Sequence, residues 1–217
     1  MAKDSTSDPA SGINAPDNIN RCSWAKSLPL RKYHDLEWGR PASKDRFLFE
    51  ILILETLQAG ISWAIVLSKR ENYRKALCNF DFNRISSFDG SSIGDLMKNP
   101  GLIRNIRKTQ SIVNNAKSFK KIVSEWGSFL EYLKQFRPKQ CTVPEDDSKV
   151  PCESPESRKL SADMKSRGFT FVGPKICYSY MQAVGIINDH VKGCFIGDMI
   201  RSDSILQNKN STESKYY

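Results

Sequence analysis

The chain has two histidines, and each stands close to a cysteine: Cys22 precedes His34, and His190 precedes Cys194. Cysteine and histidine are the donors a tetrahedral zinc ion takes, and four protein ligands leave it no open position. A set built from Cys22, His34, His190 and Cys194 would therefore be structural, pinning the N-terminal segment to the C-terminal one as a clasp rather than acting as a catalyst. His190 and Cys194 lie one helical turn apart, a workable bite, whereas Cys22 and His34 need an intervening loop. The spacing equally allows both histidines to be packing or capping residues.

Glu55 stands near the end of a run that is apolar almost all round, Phe47, Phe49, Ile51, Leu52, Ile53, Leu54 and Leu57, with Leu48, Ile51 and Leu52 on its own side at helical spacing. A buried carboxylate is costly unless partnered, so such a residue is either ion-paired or functional. QAGISW follows directly: Gly60 permits a tight turn and Trp63 offers a flat stacking surface. With Trp24, Tyr33 and Trp38, this concentrates aromatic residues in the first 63 positions. Core packing is the plain explanation, and a base-stacking pocket is the sharper one.

A third constellation is IGDLMKNPGLIRNIRKTQSI, residues 93–112: a short helical pattern, an Asn-Pro-Gly turn at Gly101, then a second helix opening with Arg104, Arg107 and Lys108. Amides at a helix start form a phosphate seat, and paired helices of this kind hold a DNA backbone without reading its sequence. An ordinary αα-hairpin with a solvated basic face is the alternative. The charge is consistent with a polyanionic partner: the net charge is +9, and residues 69–125 hold 12 basic and 5 acidic side chains.

The elements that must carry these groups are helices. Apolar residues recur at three-and-four spacing, as in Ile112, Val113, Ala116, Phe119, Ile122, Val123 and Trp126, and no alternating pattern persists, so the fold class is all-α. Gly173-Pro174 marks a helix start whose face continues through Ile176, Cys177, Tyr180, Val184 and Ile187. Residues 1–20 read as a disordered leader, 201–217 as a loose tail, and 21–200 as one helical domain interrupted by a surface linker over about 138–158, where four of the ten prolines fall. No apolar stretch is long enough to span a bilayer, and the polar N-terminus is not a secretory signal. Six cysteines without such a signal read as intracellular thiols or ligands; the expected compartment is the cytoplasm of a bacterium or the nucleus of a eukaryote.

RCSWA at 21–25, YHDLEWGRP at 33–41, LFEILILETLQAGISWAIVLSKRENYRKA at 48–76, the hairpin, and RGFTFVGPKICYSYMQAVGIINDHVKGC at 167–194 together resemble the DNA-3-methyladenine glycosylase I, or Tag, family, over roughly 21–195 in order. The resemblance implies an all-helical, helix-hairpin-helix glycosylase fold whose N- and C-terminal segments are clasped by one structural zinc on Cys22, His34, His190 and Cys194. It implies a monomeric enzyme that removes 3-methyladenine from alkylated double-stranded DNA in base-excision repair. By the same implication Glu55 is the carboxylate facing the base and Tyr33 a catalytic pocket aromatic, with Trp63 in the pocket and Trp24 and Trp38 on its rim. Gly60 and Ile61 would fill the gap left by the extruded nucleotide, and Gly101, Arg104 and Lys108 would hold the DNA. Without an evident lysine nucleophile the expected enzyme is monofunctional. Lys134, where the family commonly has Trp, and Lys175, where it has a small hydroxyl residue, are departures. A catalytically silent, zinc-clasped DNA-binding module or damage sensor is the rival reading; a nucleoside or tRNA base hydrolase fits the basic hairpin less well.

Overall fold

The computed structural model describes residues 18–203. Most of the expected leader and the tail beyond 203 lie outside the described residues. Among the described residues the α-helices are α1 (Leu28–Leu36), α2 (Asp45–Gln58), α3 (Trp63–Ala76), α4 (Phe82–Ile85), α5 (Gly90–Lys98), α6 (Ile106–Trp126), α7 (Phe129–Lys134), α8 (Pro155–Ser166) and α9 (Pro174–Ala183). Residues 195–203 are also helical, and no strand occurs among the described residues, in agreement with the all-α expectation.

Helix α2 is the axis. Every side chain from Leu48 to Leu57 is buried, including Glu50, Glu55 and Thr56, because α3, α6, α7 and α9 pack around it. The stripe expected on α6 faces this core through Ile112, Val113, Ala116, Phe119 and Ile122 and frays at its end, where Trp126 is partly exposed. Local signals set the boundaries. Ser62 caps α3 by accepting from the Ile65 amide, Asn105 caps α6 through the Lys108 amide, and Pro174 opens α9 behind Gly173.

The Pro-rich stretch differs from its reading as a bare surface linker. It turns into α8 at Pro155, since Ser154 and Ser157 form a reciprocal capping box and Pro155 occupies the first turn, where its missing N–H costs nothing. Earlier in the same stretch, Asp147 Oδ2 accepts from the Ser23 amide at 2.7 Å and the Pro144 carbonyl accepts from the Lys192 amide at 2.9 Å. These residues therefore tie the N-terminal segment to the loop that carries His190.

One buried ionic network fixes the three helices that carry the aromatic and acidic residues. Arg70 on α3 donates through Nε to Glu50 Oε1 on α2 (2.7 Å) and through Nη1 to both oxygens of Glu37, just after α1 (2.9 and 2.7 Å). Arg74 adds a second bond to Glu50 at 2.8 Å. Removing Arg70 leaves the buried Glu50 with Arg74 alone and the half-buried Glu37 without its guanidinium, which costs about 3 kcal/mol. Arg70→Ala should therefore lower the melting temperature by about 6 to 12 °C, and Arg70→Met combined with Glu50→Leu should recover part of that loss in the same thermal unfolding measurement.

Candidate active site

The walls of one cavity of about 380 Å³ bring together Trp24, Tyr33, Trp38, Glu55, Trp63 and Gln182. They come from α1, the segments flanking it, α2, α3 and α9, and the Arg70 network joins three of these elements, α1, α2 and α3. Tyr33 and Trp63 stand with ring centroids 5.2 Å apart at 58°, and Trp24 and Trp38 meet edge-on at 5.1 Å. Every catalytic and substrate-binding residue expected from the sequence lines this space.

The polar atoms of the pocket are its most informative feature. Tyr33 Oη, Glu55 Oε2 and Trp63 Nε1 are all buried and all without a hydrogen-bond partner among the described residues. Such groups cost free energy when left unmet, and native interiors leave few of them. Burial alone pushes the Glu55 carboxyl up to about 8, and burial followed by the proximity of Glu55 and Glu37 pushes the Tyr33 phenol well above its ordinary value. Among the described residues no cation pairs with Glu55. A flat heterocycle offering both donors and acceptors on its edge would satisfy all three atoms at once.

Gln182, which the sequence reading missed, adds a fourth polar group. Its Nε2 donates to Asp189 Oδ2 at 2.8 Å, and Tyr178 Oη donates to the same oxygen at 2.6 Å. The carboxylate thereby holds the amide with its N–H₂ turned away, leaving the carbonyl as the end available to the pocket. The signal was the short spacing of Gln182 and Asp189, which in sequence looks the same as two solvent-facing polar residues.

The turn after α2 is a type II turn. The Ile61 amide donates to the Gln58 carbonyl at 2.8 Å, Ala59 has φ −48° and ψ 110°, and Gly60 has φ +80°. Gly60 is therefore needed for backbone conformation, and it lies exposed beside the partly buried Ile61.

The four Cys and His residues also converge. The ligand atoms of Cys22, His34 and Cys194 lie within 4.8 Å of one another, and the His190 ring stands 5.0 Å from that of His34. His190 Nε2 is buried and unpartnered, while its Nδ1 is 2.9 Å from Asn188 Oδ1. His34 Nδ1 is likewise engaged by Asp35 Oδ1 at 2.8 Å, with Nε2 3.4 Å from Cys194 Sγ. Hydrogen bonds from Cys22 and His34 draw the Cys194 thiol well below its ordinary value, and burial lowers His190. One ring nitrogen held by an outer carboxylate or amide and the other left free is how histidines are oriented toward a metal. Two glycines missed in the sequence make room: a Cβ at Gly39 would lie 2.5 Å from His190 Cε1, and one at Gly197 2.4 Å from His190 Cβ.

The basic hairpin is present, with two corrections. Lys108 does not reach outward: it is buried, and its ammonium donates to the carbonyls of Leu57 and Ala59, because the end of α2 packs against this face of α6 and needs a donor. The Gly101 amide is likewise taken, donating to Asn99 Oδ1 at 2.8 Å, and a side chain at Gly101 would strike Asn72. Packing of the hairpin on α3 is thus the structural reason for this glycine. Arg104, just before α6, and Arg107, in its first turn, are exposed.

Comparison with known proteins agrees with this geometry. A family model described as methyladenine glycosylase matches residues 24–197. DNA-3-methyladenine glycosylase 1 of Escherichia coli K12 is 40% identical over 179 residues, covering 81% of this chain and 96% of the relative, and the Haemophilus influenzae DNA-3-methyladenine glycosylase is 39% identical over 178 residues, covering 80% and 96%. A crystal structure of 3-methyladenine DNA glycosylase I superposes with TM-score 0.78 at 41% identity, over 81% of this chain and 98% of that one. The Staphylococcus aureus enzyme, solved to show the basis of 3-methyladenine recognition, gives 0.77 at 31% identity, over 82% and 96%. The chain belongs to the methyladenine glycosylase family.

Proposed function

We propose that this protein is a monofunctional DNA glycosylase that hydrolyses the N-glycosidic bond of 3-methyladenine in alkylated duplex DNA, acting on a nucleotide swung into the Tyr33–Glu55–Trp63 pocket. The observation that carries this reading is the set of three buried, unpartnered polar atoms in one aromatic slot. Methylation at N3 makes the base cationic, so it leaves as a neutral molecule and needs little acid help. The enzyme has to extrude the nucleotide, which costs a few kcal/mol and less for a poorly paired lesion, and to hold the base while water reaches the sugar. Tyr33 and Trp63 supply faces that favour a cationic ring, Glu55 an oxygen for the base edge, and Gln182 a fixed carbonyl. Gly60 and Ile61 occupy the place of the extruded nucleotide, and Arg104 and Arg107 engage the phosphates of the helix-hairpin-helix element.

Cys22, His34, His190 and Cys194 would hold one zinc ion, and the metal would supply folding energy by joining the segment before α1 to the chain after α9. The donor set fits, since His190 Nε2 is free while Asp35 and Asn188 orient the two rings from behind. Asp147 and Pro144 brace the same junction. The rival reading, a silent DNA-binding module, leaves the unpaired carboxyl unexplained, because a binder gains nothing from burying Glu55 without a partner.

Three outcomes test these readings. Glu55→Ala should lower single-turnover release of 3-methyladenine about a hundredfold, equivalent to about 2 to 3 kcal/mol, with Glu55→Gln between it and the wild type; a fully active Glu55→Ala would sink the mechanism. In stability the order reverses. A buried acid near 8 in the folded state and near 4.5 unfolded binds its proton more tightly when folded, so wild-type stability is complete below about 4.5 and falls as pH rises toward 8. Glu55→Gln lacks that loss, and its melting temperature should exceed the wild type by a margin that widens from pH 5 to pH 8; parallel curves would contradict the assignment. Finally, the purified chain should contain about one zinc per molecule, and chelation or Cys194→Ser should lower its melting temperature, whereas a metal-free protein with unchanged melting would end the zinc reading.

A further inference from the structure

Lys108 is the third residue of α6, and its two ends serve different partners. Its amide donates to Asn105 Oδ1 at 3.1 Å, closing the helix that follows the hairpin. Its side chain is buried, and the ammonium donates to the Leu57 carbonyl at 2.7 Å and the Ala59 carbonyl at 2.6 Å. Leu57 lies two residues beyond Glu55 in the last full turn of α2, and Ala59 is the first central residue of the turn that presents Gly60 and Ile61. The exposed Arg104 and Arg107 precede Lys108 by four residues and by one. A continuous path of covalent and hydrogen bonds therefore runs from the hairpin, through one side chain, to the turn and the helix that carry the site.

A helix end usually receives its donors from its own flanking residues or a glycine just beyond it. Here the donor comes from 49 residues away and from another element, and it is a lysine whose long side chain must be immobilised and desolvated to act. Asparagine, serine or water would serve a mere cap. What a buried ammonium bonded to two carbonyls adds is a fixed separation between two elements.

We propose that Lys108 is a positioning residue for base extrusion: it holds the Gly60–Ile61 turn at a set distance from the hairpin, so that seating the DNA backbone on Arg104 and Arg107 places the turn in the gap left by the flipped nucleotide. This inference rests on the glycosylase reading above. Misplacement of such an element by about 1 Å is enough to cost up to about a hundredfold in rate.

The test uses the full chain and Lys108→Met, which keeps the aliphatic stem and removes both donors, with Lys108→Arg as the conservative variant. Four quantities are compared: single-turnover release of 3-methyladenine from methylated duplex, fluorescence of a 2-aminopurine placed opposite or beside the lesion, binding of free 3-methyladenine, and the salt dependence of affinity for undamaged duplex. The positioning role predicts that Lys108→Met loses at least tenfold in release and most of the 2-aminopurine signal, keeps free-base affinity within twofold, and keeps the wild-type salt slope; Lys108→Arg recovers part of the release. Arg104→Ala with Arg107→Ala should instead reduce the magnitude of the salt slope by nearly two, as expected for two lost phosphate contacts. A Lys108→Met slope reduced by about one would make Lys108 an ordinary phosphate contact. Equal losses in release and free-base binding would make it a structural cap, and unchanged release with unchanged fluorescence would leave it no role in extrusion. If the wild type released no base, the glycosylase reading would fall, while the 2-aminopurine comparison would still decide whether Lys108 couples backbone binding to extrusion.

Discussion

An unpartnered carboxyl group at the centre of a helical core is the constraint around which this molecule is organised. Glu55 sits on α2 among side chains that are almost wholly withdrawn from water, its Oε2 meets no donor, and burial holds its proton to about pH 8. A structure that keeps such a group must compensate elsewhere, and here the compensation is spread over the apolar length of α2 and the ion network joining Arg70 to Glu37 and Glu50. The contrast between Glu50 and Glu55 is instructive, because both lie buried on one helix. Glu50 receives two arginines and serves to hold α2 to α3; Glu55 receives none and faces the cavity. The difference separates a structural carboxylate from one that awaits a ligand.

The remaining parts of the fold can be understood as fixing the three elements around that group. The Cys/His cluster, with Asp35 and Asn188 behind it and residues 144–147 alongside, secures the approach of α1, which brings Tyr33 to the pocket from the residue next to His34. Aromatic contacts carry the connection inward, for the His190 ring meets Trp38 at 4.5 Å and Trp38 meets Trp24, which lines the cavity. On the opposite side Tyr73 accepts from the Ile103 amide and Lys69 donates to the Gly101 carbonyl, fastening the hairpin to α3. The hairpin is thereby joined to α3, which carries Trp63, and through Lys108 to the end of α2, which carries Glu55.

Much of this was legible in the sequence because the signals were local. The all-round apolar run marked α2 as central, Gly173-Pro174 marked the start of α9, and an acid inside an apolar run marked Glu55. The scarcity of histidine made the Cys/His set conspicuous, and its four residues do come together. What escaped was set by long-range geometry. Lys108 looks like one more basic residue in a basic helix, and only the packing of α2 against α6 turns its ammonium inward. Gly39 and Gly197 carry no signal in the sequence; only the structure shows the His190 ring against the first and the His190 Cβ against the second. The Pro-rich linker was read from composition, which says nothing of a carboxylate such as Asp147 bonding to an amide 124 positions away.

The central claim is that the pocket's unmet polar atoms are complements of a methylated adenine. A crystal structure of the protein with 3-methyladenine tests it most directly. The account predicts the base between the Tyr33 and Trp63 rings, with a ring or exocyclic nitrogen within about 3.2 Å of Glu55 Oε2 and a second bond to Tyr33 Oη, Trp63 Nε1 or the Gln182 carbonyl. A base bound elsewhere, or one lying in the pocket with Glu55 Oε2 still unpartnered, would contradict it.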